Sequence, residues 1–206
     1  MGAIAKIIAD DTAAQHARFL VVWAPIAPEE GGLSDTPGDR GGLTNCGVTL
    51  RFLQAQGQID PVVAQAFDLD GNHDLDDADI RDLTPELAAE LYERCLWVRG
   101  AICTLPAPID GMILDQAINC GLVGAYRILQ RAINAVGPQT VTVDGDLGDI
   151  TRDALAQALL VHHSDVVVEA VRKAAMDHYR SICVADPAQL RFLNAWLNRA
   201  EALGHV

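Results

Sequence analysis

The chain has 206 residues, and half of them are hydrophobic, which is enough to bury a sizeable core. Its 15 lysines and arginines oppose 28 aspartates and glutamates, and the resulting net charge of −13 argues against a surface that binds polyanions. Aromatic residues make up only 5%, so stacking platforms for single-stranded nucleic acid are not indicated. The composition therefore predicts an ordinary folded protein with no nucleic acid partner.

The N-terminal stretch is apolar but is interrupted by charged residues, among them Lys6, Asp10 and Asp11, and no small-residue cleavage site follows it. We therefore expect no signal peptide, and no run of about eighteen apolar residues predicts a membrane span. The five cysteines form no Cys-x-x-Cys pair, which argues against a zinc site or a disulfide framework. These features predict a protein that is made in the cytoplasm with reduced thiols. Any export would have to depend on another system.

Helical periodicity and cap signals predict a mainly α chain. Two caps are clear, because Asp60 and Thr84 are each followed by a proline at the first helical position. Pro25 is expected to end the first helix, and Gly57 and Gly121 to end later ones. The predicted helices cover residues 12–23, 49–57, 61–67, 85–97, 110–120, 122–136, 151–161, 164–180 and 187–202.

Two stretches of the chain depart from helical spacing. The glycine-rich residues 29–47 predict turns and a small β-hairpin, and residues 139–143 look extended. Pro106 and Pro108 are the best candidate for a boundary. The prediction is a helical region 1–105 and a helical region 106–206, packed as one unit, in a mainly α fold with a small β element.

The glycine-rich stretch carries acids that suit the cleavage of a glycosidic bond. Glu30 follows a predicted helix and precedes two glycines, so the chain beside it can turn sharply and approach a ligand. A hairpin carrying Asp39 and Thr44 could fold back over this helix end, so that a sheltered acid faces a second acid and a hydroxyl. An acid that protonates the leaving oxygen, with a partner that positions water or stabilises positive charge, is what such cleavage requires. The alternatives are that both acids are solvated loop residues, or that Glu29 is the acid.

At its full length the stretch matches a known pattern. The residues E-G-G from Glu30 and D-R-G-G-L-T-N-C-G-V-T from Asp39 closely resemble the motif of glycoside hydrolase family 108. The members of this family are phage-endolysin-like N-acetylmuramidases, also known as secretion activator proteins. The order Glu, Asp, Thr is also similar to the catalytic arrangement of phage-type lysozymes. The resemblance implies a lysozyme-like helical fold that cuts the β-1,4 bond between N-acetylmuramic acid and N-acetylglucosamine. It implies Glu30 as the catalytic acid and Asp39 and Thr44 as supporting residues, with inversion or retention left open. Leu33 departs from the pattern, since the family commonly has an aromatic residue there.

Residues 68–79 form an aspartate-dense loop with the spacing of a calcium site. Side-chain oxygens fall at loop positions 1, 3, 5, 9 and 12, and position 7 would contribute its backbone carbonyl, as in EF-hand loops. His73 stands at position 6, where glycine normally takes the sharp turn. We expect a structural calcium ion and no cofactor for catalysis; the alternative is a solvated acidic loop without metal. The expected ligands are Asp68, Asp70, Asn72, Asp74, Asp76 and Asp79.

The second half resembles the peptidoglycan-binding region that accompanies this hydrolase family. The resemblance lies in residues 115–132 and in a V-D-G-x-x-G-x-x-T-x-x-A-L signature from Val143, most of which we interpret as scaffold, with Thr151 as a helix cap. Asn119 could hydrogen-bond a sugar N-acetyl group. Trp97 and Tyr126 are candidate sugar-stacking rings, with the core as the alternative place for each.

The sequence thus predicts an endolysin-type muramidase that acts as a monomer on the glycan strand of peptidoglycan, reaching the cell wall through a holin or another export system. Two other functions stay open. One is a non-catalytic peptidoglycan-binding protein, and the other is a calcium-dependent interaction protein.

Overall fold

The computed structural model describes residues 3–27, 31–34, 43–138 and 140–204, with side chains from residue 12 onward. The fold is mainly α with one small two-stranded hairpin in the glycine-rich stretch, which confirms the predicted fold class. The chain forms two compact units, Met1–Arg99 and Gly100–Val206. Among the described residues, no helix combines the length and apolarity that a bilayer crossing requires.

The first unit surrounds the hairpin with short helices. Its elements are α1 (Ala3–Ile26), β1 (Thr44–Asn45), β2 (Val48–Thr49), α2 (Leu50–Ile59), α3 (Pro61–Ala66), α4 (Asp77–Asp82), α5 (Pro85–Tyr92) and a π-helical turn (Glu93–Val98). The predicted end of the first helix is wrong, because α1 includes Pro25 in its last turn and continues to Ile26. Gly57 does not end α2 either: it is buried inside the helix, where a side chain would collide with Leu75 of the acidic loop.

Side-chain caps fix where these helices begin. The Thr49 hydroxyl accepts from the Phe52 N–H, and the carboxylate of Asp60 accepts from the Val62 N–H at 3.0 Å, with Pro61 following it. Both predicted cap-plus-proline pairs are confirmed, since Thr84 accepts from the third residue of α5. Each cap satisfies an amide that the first turn of a helix leaves without an internal partner.

An aromatic cluster forms the centre of the first unit's core. Phe19 packs edge-on against Trp97 at 6.0 Å between ring centroids and is stacked on Trp23 at 5.9 Å. Tyr92 joins the cluster through Trp23 at 5.4 Å and through Phe52 at 5.7 Å. These contacts attach α1 to α5 and to the π-helical turn, and they set the space between the two helices.

The second unit consists of helices and short turns in the part that the structure describes. Its elements are a 3-10 turn (Ile102–Thr104), α6 (Ile109–Val136), α7 (Asp149–Val161), α8 (Ser164–Ala185), a 3-10 turn (Pro187–Phe192) and α9 (Leu193–Ala202). Gly121 interrupts α6 with φ 74° and ψ 164°, at the residue where the sequence predicts that one helix ends and another begins. That backbone region is essentially restricted to glycine.

In the second unit, residues 140–143 belong to no helix or strand, and the predicted helix cap at Thr151 is wrong. The Asn134 side chain takes both backbone groups of Val141, donating to its carbonyl at 2.8 Å and accepting from its N–H at 2.7 Å. Thr151 is not a cap but lies in the first turn of α7, after Gly148 as the capping residue. Its hydroxyl donates to the Asp146 carbonyl at 3.1 Å, which holds the preceding turn.

The V-D-G-D-L-G signature is a turn held by one buried glutamine. Gln130 of α6 donates to the Asp144 carboxylate at 2.7 Å and to the Asp146 carbonyl at 3.0 Å, and its side-chain oxygen accepts from the Gly145 N–H at 2.8 Å. Gly145 has φ 85°, which glycine adopts most readily. The signature is therefore scaffold, as interpreted from the sequence.

Candidate active site

The hairpin of the glycine-rich stretch has a tight two-residue turn. Thr44 pairs with Thr49 and Asn45 with Val48 in antiparallel register. The turn residues Cys46 and Gly47 have φ 49° and 75°. Both values are positive, as the favoured two-residue hairpin turns of this kind require, so Cys46 adopts a backbone that few residues other than glycine take.

A second pairing closes the connection that leads into the hairpin. The Ser34 N–H donates to the Thr44 carbonyl at 2.8 Å, and the Thr44 N–H donates to the Ser34 carbonyl at 2.9 Å. The chain therefore leaves at Ser34 and returns beside it at Thr44, which is half-buried. Of the three predicted catalytic residues, Thr44 is placed at this junction. Glu30 and Asp39, like the alternative acid Glu29, lie outside the described residues.

Asn45 joins the hairpin to α4 and was missed by sequence reasoning. Its buried side-chain amide donates to the carbonyls of Ile80 and Leu83, both at 3.0 Å, at the C-terminal end of α4. Carbonyls at a helix end have no partner within the helix, so a side-chain donor there satisfies groups that burial would otherwise leave unpaired. The only available signal was a polar residue in front of a Cys-Gly turn.

The charge of Glu86, near the start of α5, reaches Cys46 in the hairpin turn. Burial and the nearby Glu86 carboxylate raise the pKa of the Cys46 thiol above its usual value. The pKa of Glu86 itself is lowered, because its carboxylate accepts from its own backbone N–H and from the Thr84 side chain at the helix N-terminus. Cys46 is thus a protonated thiol in a tight turn, which does not suit a nucleophile.

The acidic loop brings three carboxylates together. Asp68, Asp70 and Asp79 each place an oxygen within 4.8 Å of the others. His73 has φ 70°, the left-handed backbone expected at position 6, and its N–H donates to the Asp68 carboxylate at 3.0 Å. The other oxygen of Asp68 is buried and has no hydrogen-bond partner among the described residues. The loop is therefore folded around a point where carboxylate oxygens converge.

The other loop residues are ordered by bonds within the loop and with α4. Asn72 donates from its side chain to Asp70 at 3.1 Å and to Asp76 at 3.3 Å, and it accepts from the Asp74 N–H at 2.7 Å. Asp76 caps α4, and the fully buried Asp79 accepts from the Asp76 N–H at 2.8 Å, which completes a capping box. Asp79 also accepts from the Leu69 N–H at 2.6 Å, so it joins the two ends of the loop.

The proposed sugar-stacking rings are core residues. Trp97 is fully buried in the aromatic cluster of the first unit, and its Nε1 has no hydrogen-bond partner in the described part of the chain. Tyr126 is buried in the second unit, where its hydroxyl donates to the Gly100 carbonyl and burial raises its pKa. Neither ring presents a face to a ligand, so the alternative reading of both as core is the one that the structure gives.

Asn119 is exposed on the second unit beside a buried polar network. It donates to the Asp115 carbonyl at 2.8 Å. The Asp115 carboxylate pairs with the Arg199 guanidinium at 3.0 Å, and Gln116 accepts from the Tyr179 hydroxyl at 3.1 Å. Burial raises the pKa of Tyr179 well above its ordinary value. The network fixes Asn119 at the last turn before the break at Gly121. Nothing in the sequence pattern indicated this hydrogen-bond network.

Comparison with known proteins gives two family matches and one similar fold. Residues 24–121 match the glycosyl hydrolase 108 family, and residues 124–201 match a predicted peptidoglycan domain. The chain is similar to the solved structure of Brucella abortus SagA, with 23% identity and a TM-score of 0.64 over 93% of this chain and 98% of that one, which shows a shared fold. No curated protein matches the chain significantly. The chain therefore carries a glycosyl hydrolase 108 domain and a predicted peptidoglycan domain, which together support a glycosidase whose partner is peptidoglycan.

Proposed function

We propose that the chain is an N-acetylmuramidase that cuts the β-1,4 bond between N-acetylmuramic acid and N-acetylglucosamine, with Glu30 as general acid. The observation that carries the proposal is the position of the acid motif, since Glu30, Asp39 and Thr44 all fall inside residues 24–121, which match the hydrolase family. The pairing of Ser34 with Thr44 adds support, because it returns the Asp39 connection to the hairpin that carries the hydroxyl.

The three residues have separate roles in this mechanism. Glu30 protonates the glycosidic oxygen as the bond breaks, and positive charge develops on the sugar that is left. Asp39 either positions the attacking water or stabilises that charge, and Thr44 orients the water or the carboxylate from the hairpin. Carboxyl groups about 5–5.5 Å apart would favour retention, and a separation of roughly 6.5–9.5 Å would favour inversion.

The test is mass spectrometry of the fragments that the pure protein releases from purified peptidoglycan. A muramidase leaves muramic acid at the new reducing end, whereas a glucosaminidase leaves N-acetylglucosamine there. We expect Glu30→Gln to abolish release while circular dichroism and melting stay unchanged, and the neighbouring Glu29→Gln to retain it. Full activity of Glu30→Gln, or release of fragments with the other reducing end, would contradict the assignment. Intact wall binding without any release would instead favour a non-catalytic peptidoglycan-binding protein.

We further propose that the acidic loop holds a structural calcium ion. The donors fit a hard cation, because they are carboxylate and amide oxygens, three carboxylates already converge within 4.8 Å, and one buried oxygen of Asp68 has no partner among the described residues. Asp68, Asp70, Asn72, Asp76 and Asp79 would bind through side chains, and Asp74 through its backbone carbonyl. The ion would neutralise like charges and fix the loop to α4, and it has no part in bond cleavage.

Calcium titration followed by melting temperature tests the loop. A ligand that binds only the folded protein raises stability by RT ln(1 + [L]/Kd), so saturation at about a hundred times Kd adds roughly 2.7 kcal/mol. We expect Asp70→Asn to abolish this rise and the exposed Asp82→Asn, just outside the loop, to keep it. An unchanged melting temperature in the intact protein would refute the calcium site. A large calcium-dependent change in secondary structure would instead favour a calcium-dependent interaction protein.

For the second unit we propose that Asn119 contacts an N-acetyl group of the wall glycan. We also propose that the protein acts at the cell wall, as a phage endolysin does. The residue is exposed and its side chain is fixed by the Asp115 carbonyl. Asn119→Ala is expected to weaken sedimentation with insoluble peptidoglycan, while the exposed Asn198→Ala on α9 does not. Equal sedimentation of the two variants would remove Asn119 from the binding surface.

A further inference from the structure

A groove of about 600 Å³ runs between α1 and α5 in the first unit. Its volume lies in the range of ligand-binding clefts. It combines an apolar floor with a polar rim, and nothing in the sequence analysis assigned it a role. The floor is formed by Phe19, Leu20, Trp23, Pro85 and Ala89, and the rim by His16, Glu86, Glu90 and Glu93.

Trp23 supplies a rigid aromatic surface in this groove. The indole is half-exposed, and it is stacked on Phe19 with an interplanar angle of 11°. Tyr92 contacts it at 5.4 Å between centroids, at an angle of 45°. A ring fixed by two aromatic neighbours loses little further freedom when a ligand packs on it, so it is suited to contact a flat apolar face.

The rim offers hydrogen-bond acceptors spaced along one helix face. Glu86 and Glu90 are exposed and lie four residues apart on α5, so their carboxylates point to the same side. Glu93 begins the π-helical turn, a rare geometry that often occurs at functional sites, and both of its oxygens lie 2.9 Å from His16 Nδ1. That contact uses one imidazole nitrogen and fixes His16 beside the groove that it lines.

Both helices of the groove are related to the glycine-rich segment. Burial raises the pKa of the Cys46 thiol, two residues from Thr44 in the hairpin, and the charge of Glu86 on α5 adds to that rise. Trp23 lies in the last turns of α1, the helix that leads into the Glu30 motif. The groove therefore lies in the same compact unit as the hairpin that carries the candidate catalytic hydroxyl.

We propose that this groove is a glycan subsite, in which Trp23 stacks on the apolar face of a sugar ring and Glu86 and Glu90 accept hydrogen bonds from its hydroxyl and amide groups. The inference rests on the proposed function, because it assigns the occupant as the substrate strand. Charge selects the glycan over the peptide stems, since three carboxylates repel a carboxylated stem but attract neutral donors. The same charges disfavour anionic lipid and nucleic acid.

Tryptophan fluorescence measures occupancy of the groove without cleavage. The probe is tetra-N-acetylchitotetraose, a neutral glycan, added to the Glu30→Gln, Trp196→Phe protein, in which Trp23 is the exposed indole and Trp97 is fully buried. We expect saturable quenching. Adding Trp23→Phe should remove the fluorescence signal, and calorimetry of Trp23→Ala in the same background should show binding weaker by about tenfold, the value of one well-packed aromatic contact.

Variants in the otherwise active protein separate the subsite from the chemistry. Trp23→Ala should raise KM for peptidoglycan by about tenfold with kcat changed by less than roughly threefold, and Trp23→Tyr should restore KM. The exposed Glu90→Gln, which has little reason to misfold, should raise KM, while Glu201→Gln on α9 should not.

Unchanged glycan affinity in Trp23→Ala and unchanged KM in Glu90→Gln would overturn the subsite, even if the wall is still hydrolysed. If the glycan quenches Trp23 but no wall fragment is ever released, the subsite stands and the muramidase assignment fails.

Discussion

The Asn45 amide makes a sharp prediction, because one side chain holds the hairpin to α4. Asn45→Asp keeps the size and shape of the side chain but replaces the nitrogen with an acceptor. The two hydrogen bonds of 3.0 Å to the carbonyls of Ile80 and Leu83 are then lost. A carboxylate also faces two carbonyl oxygens in a buried position, where like partial charges repel.

The expected loss of stability follows from those two contacts. A buried polar group that loses its partner costs about 1–3 kcal/mol, so two carbonyls give roughly 2–6 kcal/mol before the repulsion is added. In a unit that spans Met1–Arg99, each 1 kcal/mol lowers the melting temperature by about 4–8 °C. We therefore expect Asn45→Asp to melt at least about 8 °C below the unchanged protein.

Urea unfolding followed by circular dichroism provides the measurement, with calorimetry for the melting temperature. The control is Gln58→Glu, the same amide-to-acid change at an exposed position of α2, which should stay within about 0.5 kcal/mol of the unchanged protein. An Asn45→Asp protein as stable as this control would refute the argument that the amide is the main attachment of the hairpin. Reduced muralytic activity at a temperature where the variant is still folded would show that the attachment also positions Thr44.

Three further predictions test other parts of the fold. Gly121→Ala should lower the free energy of unfolding in urea by about 1–3 kcal/mol, because φ 74° and ψ 164° suit glycine alone. The control Gly32→Ala, at a position with ordinary φ and open space, should lower it less, and equal losses would contradict the backbone argument. The Arg94 side chain lowers the pKa of Asp60. The contribution of the ionised Asp60 to the free energy of unfolding should therefore be complete above the unfolded pKa of about 3.9, and it should be lost as the pH falls through the lower folded pKa. The stability difference between the unchanged protein and Asp60→Asn, which keeps the cap, should shrink on acidification; a constant difference would refute this. Burial raises the pKa of the Cys120 thiol to about 12, so its thiolate fraction at pH 8 is roughly 10⁻⁴ and iodoacetamide should label it only after unfolding, as mass spectrometry would detect.

Structural features that depend only on neighbouring residues could be predicted from the sequence. Asp60 and Thr84 could be recognised as caps because a side-chain oxygen and the following proline act within one helical turn. The break at Gly121 and the left-handed backbone at His73 could be predicted for the same reason, since both depend on a residue's own φ and on fixed spacing within a motif. Position 6 of the acidic loop could therefore be assigned to His73 from the sequence alone.

Contacts across the chain could not be predicted in this way. Trp97 and Trp23 both occur on helices, and periodicity alone does not say which face is covered by a neighbour from another helix. The structure buries Trp97 under Phe19, which is the core position left open as its alternative, and it leaves Trp23 half-exposed in the groove. Asn45 was missed likewise, because its partners lie more than thirty residues away.

The two motifs that the sequence presents separately meet at the helix α4. This helix has six residues, too few to be stable alone in water, so its ends must be held from outside. The capping box of Asp76 and Asp79 holds its first turn from the acidic loop, and Asn45 holds its last carbonyls from the hairpin. A calcium ion in the loop would therefore reduce the motion of the hairpin that carries Thr44 without contacting it, because both act on one short helix.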